Sequence, residues 1–203
     1  CSQTVLKFPS PDAASYEDSL AAARDFIVRW KGHPLIVPSV APHAAYTCTP
    51  EILRACAELA AEHSVPLHTH IAETLQEVED WRETYGMPVV PWVKKLGVLA
   101  TKVLAAHCVH VDEGEIHTLK HARAGVAHNP SSNLKLASGF APVTAMLAAG
   151  LDVGIGTDGA ASNNDLDMFE VMKFAALFQK FAHRDPTVVP GLEAFQLATL
   201  GGA

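Results

Sequence analysis

The sequence predicts an α/β fold built from parallel β/α units, as part of a (β/α)8 barrel. Short apolar runs alternate with longer amphipathic stretches through the 203 residues, an order typical of buried parallel strands that are covered by helices. The five clear strand starts lie roughly 22 to 37 residues apart, a range that includes the about 31 residues per unit of a 250-residue barrel. Eight such units do not fit in this chain, so the predicted barrel is partial.

The predicted strands are apolar runs bounded by proline, glycine or polar residues. They cover residues 35–40, 66–71, 102–106, 125–128 and 151–155. Residues 4–8 have the same character and are predicted to be the end of a sixth strand. Strands of a parallel sheet are buried on both faces, and this explains why the runs are continuously apolar.

Stretches with helical spacing lie before, between and after these runs. They cover residues 15–30, 50–63, 75–85, 113–123, 142–149, 168–181 and 191–200. In the second stretch, Thr49 and Pro50 fit the N-cap and the first helical position. Ile52, Cys56 and Leu59 then form one apolar face of that helix.

Two alternatives concern the architecture. An open, doubly wound sheet has a similar order of elements, but no glycine-rich phosphate loop follows any predicted strand, so the barrel is favoured. The helix predicted over residues 168–181 is rich in methionine and phenylalanine. That surface is interpreted as core packing, with a cofactor-binding surface as the alternative.

Composition limits the classes of partner. A net charge of −7 without a block of lysine and arginine argues against nucleic acid or an anionic membrane as a partner. No apolar stretch reaches the roughly 18 residues that a transmembrane helix needs. The four cysteines show no paired spacing, and no signal peptide is recognisable, so a cytoplasmic location is expected. The absence of an initiator methionine suggests that the sequence begins inside a longer protein.

Polar residues with metal-binding side chains follow the predicted strands where each strand ends. The set comprises His43, His70, Glu73, His107 and Asp158. All strands of a parallel barrel end at the same face, so we expect these side chains to lie close together. Imidazole and carboxylate groups suit zinc or a similar divalent ion. The sequence therefore predicts a metal-assisted active site at this face.

The positions of these residues at the strand ends predict a different task for each. His68 and His70 point to the same side of their strand and are candidates to bind the ion, and Asp158 could supply an oxygen ligand. The charge of the ion would lower the pKa of a bound water from 15.7 toward about 7. Glu73 lies just past a strand end and is the candidate that moves protons between that water and the leaving group. His107, at the next strand end, is expected to polarise the substrate or to hold the water.

Several of these residues also have a purely structural interpretation. His68 points to the same side of its strand as His70 and could support the site from behind it. Asp158 stands in a Gly-Thr-Asp-Gly sequence and could be a turn residue. Cys108 could be a nucleophile, but adjacent strand residues face opposite sides, which favours an inert, buried thiol. His110 and His128 are expected to be structural.

The strand-end segments together resemble the amidohydrolase superfamily, within it the 5-methylthioadenosine/S-adenosylhomocysteine deaminases and their triazine-hydrolase relatives. The resemblance rests on APHAAYTCT (41–49), HTHIAET (68–74), AHCVH (106–110), HNPSSNLKLASG (128–139) and GIGTDGAASNNDLD (154–167). It implies a partial TIM barrel of the metal-dependent hydrolase type, with roughly strands 4 to 8 and their helices. Residues 1–203 are then the C-terminal part of the catalytic domain, without the family's β-sandwich and its first-strand His-x-His pair.

The resemblance also implies the roles of individual residues. His70 is the metal-binding histidine of the fifth barrel strand, and Asp158 is the metal-binding aspartate of the eighth. Glu73 handles protons and contacts the purine, while His107 lies near the reactive water. The implied substrate contacts are His43, Glu73 and Ser162.

The implied activity is hydrolytic deamination of an adenosine-type nucleoside, S-adenosylhomocysteine or 5-methylthioadenosine, by metal-bound hydroxide. The implied cofactor is one divalent ion, zinc or else iron, and the implied assembly is a homo-oligomer. A chlorohydrolase or another purine or pyrimidine deaminase is the alternative enzyme. A catalytically silent structural or oligomerisation module also stays open, because the first-strand His-x-His pair of the family is not in this sequence; His68 and His70 match its fifth strand instead.

Overall fold

The computed structural model describes residues 1–203 and contains parallel strands in chain order. A two-stranded sheet pairs β1 with β2, and a four-stranded sheet has the order β3-β4-β5-β6. The strands are β1 (Thr4–Val5), β2 (Ala41–Pro42), β3 (Leu67–Ile71), β4 (Val103–His107), β5 (Gly125–His128) and β6 (Asp152–Ile155). Single bridges from Val40 to Leu67 and from Ala44 to His70 connect the two sheets. The predicted partial barrel of parallel β/α units is confirmed.

One predicted strand is wrong. Residues 35–39 form no strand, and the pairing begins only at Val40 and Ala41. Pro34 and Pro38 have no backbone N–H to donate to a ladder. Leu35 is 88% exposed, so this apolar run is surface chain and not a buried strand.

Ten α-helices accompany the strands. They are α1 (Tyr16–Trp30), α2 (Pro50–His63), α3 (Leu75–Tyr85), α4 (Val89–Lys95), α5 (Glu113–His121), α6 (Pro130–Lys135), α7 (Val143–Ala148), α8 (Ala160–Asn163), α9 (Met168–His183) and α10 (Gly191–Ala198). The seven predicted helices are all present, within two residues at every end. Three short helices of four to seven residues, α4, α6 and α8, were not predicted from the sequence.

Side-chain caps fix where the longer helices begin. The Thr49 hydroxyl accepts from the Ile52 N–H at the start of α2, and the Thr74 hydroxyl accepts from the Glu77 N–H at the start of α3. Asp112 caps α5 in the same way. Each such cap satisfies a helix N–H that has no partner within the helix and contributes about 1 kcal/mol.

The two faces of the four-stranded sheet differ in burial. Ala105, Val126 and Val153 are adjacent in register and at most 1% exposed, within a core cluster of 41 buried residues on the helix side. His68 and Leu104, which are paired in register, are exposed on the opposite face. The concave side of this sheet is therefore open, and His70 lies on the same face as His68.

A short 3-10 helix, Leu200–Gly202, packs against β6, the last strand of the sheet. A Cβ on Gly201 would overlap the carbonyl oxygen of Val153, and a Cβ on Gly154 would lie 3.0 Å from Cα of Gly202. Only glycine permits this close contact of two backbones. The contact covers part of the backbone of β6.

None of the helices combines the length and the hydropathy that a membrane-spanning helix needs.

Candidate metal centre

The carboxyl ends of three strands bring together a set of potential metal ligands. His70 lies in β3, His107 ends β4, and Asp158 follows β6. One ligand atom from each of the three lies within 4.8 Å of the others. Two of the three, His70 and Asp158, are the ligands that the sequence predicts, and His107 is a third side chain that can reach the same point.

His70 is held with one ring nitrogen free. Its Nδ1 lies 2.6 Å from the backbone carbonyl oxygen of His43, which can only accept a hydrogen bond. Nδ1 therefore carries the proton, and Nε2 keeps its lone pair. A backbone carbonyl in this position is a common way to orient a metal-binding imidazole.

His107 is held in the same tautomer by a different partner. Its Nδ1 donates to Oδ1 of Asn133 over 2.8 Å, and its side chain is only 1% exposed. Its Nε2 lies 3.9 Å from Oε2 of Glu73 and 4.0 Å from Oδ2 of Asp158. The ring stacks on His70 with centroids 5.3 Å apart. The free nitrogen of His107 thus faces two carboxylates.

Asp158 is prepared as an anionic ligand. Its Oδ2 accepts from the Ser132 hydroxyl over 2.6 Å, and its Oδ1 accepts from the Gly159 N–H over 2.7 Å. Burial opposes ionisation of this carboxyl group, but the two hydrogen bonds and the neighbouring imidazoles outweigh burial and lower its pKa. Asp158 is therefore ionised at neutral pH.

Glu73 is aimed at the cluster by the turn that follows β3. Ala72 adopts φ +50°, and the Glu73 N–H then donates to Oε2 of Glu77 over 2.9 Å. The hydroxyl of Ser138 lies 3.5 Å from Oε1 of Glu73, at the limit of a hydrogen bond. These contacts fix the carboxylate of Glu73 beside the free nitrogen of His107.

Glu77 was not singled out from the sequence. It is 4% exposed, its Oε1 has no partner, and burial raises its pKa to about 7, with the nearby Glu73 adding to the increase. The Thr-x-x-Glu spacing of Thr74 and Glu77 is the sequence signature of a capping box. This spacing could have identified Glu77 from the sequence. A buried carboxyl group therefore lies directly behind the predicted proton-handling residue.

The predicted substrate contacts lie at different distances from the cluster. The His43 ring centroid is 4.7 Å from that of His70, and its Nδ1 is 2.9 Å from Oγ1 of Thr47. Burial lowers the pKa of His43, and the adjacent His70 lowers it further. Ser162 lies half-buried in α8, four residues after Asp158, and no hydrogen bond joins its hydroxyl to the cluster.

Left-handed backbone conformations concentrate at these strand ends. Ala72, His107, Cys108 and Asp158 have φ between +46° and +71°. Each such residue costs of order 1 kcal/mol or more unless its surroundings hold it in place. Cys108 is fully buried, and burial raises the pKa of its thiol, in agreement with the inert interpretation of this residue.

The donor set fits a divalent metal. It offers two neutral imidazole nitrogens with free lone pairs and one ionised carboxylate, which are the ligand types that zinc prefers. Each of the three side chains has a supporting hydrogen bond: His70 donates to the His43 carbonyl, His107 donates to Asn133, and Asp158 accepts from Ser132. Asn133 and Ser132 belong to α6, which the sequence analysis missed.

Known proteins are similar to this chain in sequence and in fold. The model of the amidohydrolase family matches residues 3–203. The 5-methylthioadenosine/S-adenosylhomocysteine deaminase of Nitratidesulfovibrio vulgaris (strain DP4) is 47% identical over 201 residues, which is 99% of this chain and 46% of that protein. The enzyme of that name from Moorella thermoacetica is 53% identical over 186 residues, covering 91% of this chain and 44% of its own. The chain thus spans about half the length of the curated relatives it matches.

Solved structures are also similar to this chain. A zinc-bound adenosine deaminase from Xanthomonas campestris superposes with a TM-score of 0.94 at 38% identity, over 99% of this chain and 46% of its own. Atrazine chlorohydrolase from Arthrobacter aurescens TC1, complexed with zinc, has a TM-score of 0.84 at 27% identity, over 100% of this chain and 47% of its own. These similarities bear out the resemblance read from the strand ends, and the chain belongs to the amidohydrolase family.

Proposed function

We propose that residues 1–203 form the C-terminal part of the catalytic barrel of a metal-dependent aminohydrolase. Its proposed reaction is hydrolytic deamination of an adenosine-type nucleoside, S-adenosylhomocysteine or 5-methylthioadenosine. The convergence of His70, His107 and Asp158 next to the carboxylate of Glu73 carries this proposal. The names of the curated relatives support the choice of substrate.

The proposed ligands are His70 and Asp158, and the proposed ion is zinc, with iron as the alternative. A divalent ion bound there would lower the pKa of a coordinated water toward about 7. Zinc in the similar structures supports its assignment here. His107 is proposed to hold the attacking water, and the distances of its Nε2 to Oε2 of Glu73 (3.9 Å) and to Oδ2 of Asp158 (4.0 Å) support this role.

Glu73 is proposed to carry protons in both directions. It would accept a proton as the water oxygen bonds to the purine carbon that bears the amino group. It would then deliver a proton to that amino nitrogen, so that the C–N bond breaks and ammonia leaves. One water is consumed, and the products are the inosine analogue and ammonia. His43 and Ser162 are the proposed substrate contacts in this scheme.

Ammonia release tests the substrate. The 203-residue chain, and any longer protein that contains it, should be assayed with S-adenosylhomocysteine and 5-methylthioadenosine. We expect Glu73→Gln to abolish release from an active protein while zinc stays bound, because Glu73 moves protons and does not hold the ion. The substrate assignment would be refuted if a longer, zinc-loaded protein that contains this chain released no ammonia from either nucleoside.

A chlorohydrolase is the second candidate, favoured by the structural similarity to atrazine chlorohydrolase. Chloride release from atrazine, without ammonia release from nucleosides, would select it. A chain that is folded but binds no metal would instead support the catalytically silent module. A cytoplasmic location and a homo-oligomer are further parts of the proposal, and sedimentation of the purified protein tests the assembly.

A further inference from the structure

Four buried polar atoms without partners belong to three residues that lie around one small cavity. They are Nδ1 and Nε2 of His128, Nδ2 of Asn133 and Oε1 of Gln179. All three residues are at most 3% exposed. They come from the end of β5, from α6 and from α9, and they line a cavity with Phe140 and Phe178. Unpaired buried polar groups cost about 1–3 kcal/mol each, so their grouping calls for a shared partner.

The size of this cavity corresponds to a single water. Its volume open to a water-sized sphere is about 10 Å³, close to the volume at which one water can be held. A larger ligand does not fit there. Apolar cavities stay dry, but a cavity lined by several polar groups is one that water enters.

The donors and acceptors also match one water. Burial, together with the nearby His107, lowers the pKa of His128 to about 4, so its ring is neutral at pH 7 and offers one donor and one acceptor. Asn133 Nδ2 is a donor, because Oδ1 of the same amide accepts from His107. Gln179 Oε1 is an acceptor, because Nε2 of the same amide donates to the Ala141 carbonyl. One water can accept from Asn133 Nδ2, donate to Gln179 Oε1 and form a third hydrogen bond with one ring nitrogen of His128, so it satisfies three of the four atoms.

We propose that this cavity binds one ordered water, which links His128, Asn133 and Gln179. Through this water, Asn133 and Gln179 act as positioning residues for His107. The consequence concerns the amide of Asn133. Its oxygen and nitrogen have nearly the same shape, and only their partners decide which of them faces His107. A water that accepts from Nδ2 holds Oδ1 on the His107 side. His107 then stays protonated on Nδ1, with Nε2 free toward the carboxylates.

A crystal structure of the unaltered chain at a resolution that shows ordered solvent tests the site directly. We expect one peak within hydrogen-bond distance of Asn133 Nδ2, Gln179 Oε1 and a ring nitrogen of His128. An empty cavity, or direct contacts between these side chains that close it, would overturn the proposal. This measurement needs no variant, no metal and no activity, so its outcome is independent of the proposed deamination.

The positioning role is tested by the nitrogen NMR signals of the histidine rings. In the unaltered chain we expect His107 to be a single Nδ1–H tautomer. Gln179→Leu removes the acceptor for the water and should convert this signal into a mixture of tautomers. Gln179→Glu keeps an acceptor while losing the bond to Ala141, and it should retain the single tautomer. An unchanged His107 in Gln179→Leu, or equal changes in both variants, would refute the role.

Discussion

The two ends of the strands β3 to β6 use the same unusual backbone conformation for different purposes. Left-handed residues precede all four strands: Ser64, Gly97, Arg123 and Gly150. Ser64 is the first residue after α2, and Gly97, Arg123 and Gly150 are the second residues after α4, α5 and α7, positions at which a left-handed residue terminates a helix. At the carboxyl ends no helix ends at Ala72, Cys108 or Asp158, yet they are left-handed too.

This difference separates stability from chemistry within each β/α unit. At the amino ends the conformation connects two elements, and none of these four residues contributes a side chain to the site. At the carboxyl ends the conformation directs Glu73, His107 and Asp158 toward one point. Parallel barrels in general keep stability at the amino ends of their strands and function at the carboxyl ends. Substitutions that compare the two ends should therefore change different observables.

The largest effect is expected for the two aspartates at opposite ends of β6. Asp158→Asn removes the charge of a proposed ligand and should weaken zinc binding by more than about 100-fold, because losing an outer hydrogen-bond partner alone costs about 10- to 100-fold. Asp152→Asn, at the exposed amino end of the same strand, is the matched control and should bind zinc like the unaltered chain. Titration calorimetry measures both. Equal affinities in the two variants would contradict the assignment of Asp158.

A smaller effect on zinc affinity is expected for Ser132, which supports Asp158. Ser132→Ala removes the hydroxyl that donates to Asp158 over 2.6 Å and should lower zinc affinity by about 10- to 100-fold. Ser131→Ala alters a neighbouring hydroxyl that has no hydrogen-bond partner, so it is the control. The support by Ser132 would be excluded if both serine variants bound zinc equally well.

The pH dependence of stability provides a third comparison. The pKa of Glu77 is raised from 4.5 to about 7 in the folded state, so the folded chain retains a proton that the unfolded chain loses between these values. The contribution of Glu77 to the free energy of unfolding is therefore present below pH 4.5 and falls as the pH rises to 7.

Glu77→Gln keeps an acceptor for the Glu73 N–H but cannot ionise. Relative to the unaltered chain, its free energy of unfolding should increase by roughly 2 to 3 kcal/mol between pH 5 and pH 8. Urea unfolding at both pH values measures this change, with the exposed Glu79→Gln on the same helix as the control. Parallel pH profiles for Glu77→Gln and the unaltered chain would disprove the effect of burial on Glu77.

The smallest effect is expected at an amino end. Ser64 ends α2 with φ +53°, a conformation that glycine adopts without steric cost. Ser64→Gly should raise the free energy of unfolding by about 0.5 kcal/mol, after the greater flexibility of glycine in the unfolded chain is subtracted. Zinc affinity should not change. Thermal unfolding with and without zinc checks both statements, and a destabilised variant would show that the Ser64 side chain has a role of its own.

The parts of the fold that could be predicted are those determined by neighbouring residues. The bounds of α2 follow from Thr49, Pro50 and its apolar face, and β3 and β5 are short apolar runs whose bounds differ by at most one residue from the prediction. The run at residues 35–40 misled because its prolines exclude a ladder while its composition stays apolar. Local pattern therefore determines the elements, except where backbone chemistry overrides side-chain hydropathy.

The candidate site was only partly predictable for a related reason. His70, Glu73, His107 and Asp158 could be recognised because each lies where a strand ends. Their supporting groups could not, because the contacts join residues far apart in sequence. Asn133 and Ser132 are each 26 residues from the side chain they hold. They also lie in α6, a helix of six residues that was not predicted from the sequence.

The glycine contact between the 3-10 helix Leu200–Gly202 and β6 bears on self-association. The terminal strand of a sheet presents unpaired backbone groups that can recruit a strand from another molecule. Gly201 and Gly154 allow the last residues of the chain to cover part of that strand. Any side chain at Gly201 would overlap the Val153 carbonyl oxygen and push this segment away, so a substitution there would expose part of the edge strand to such pairing.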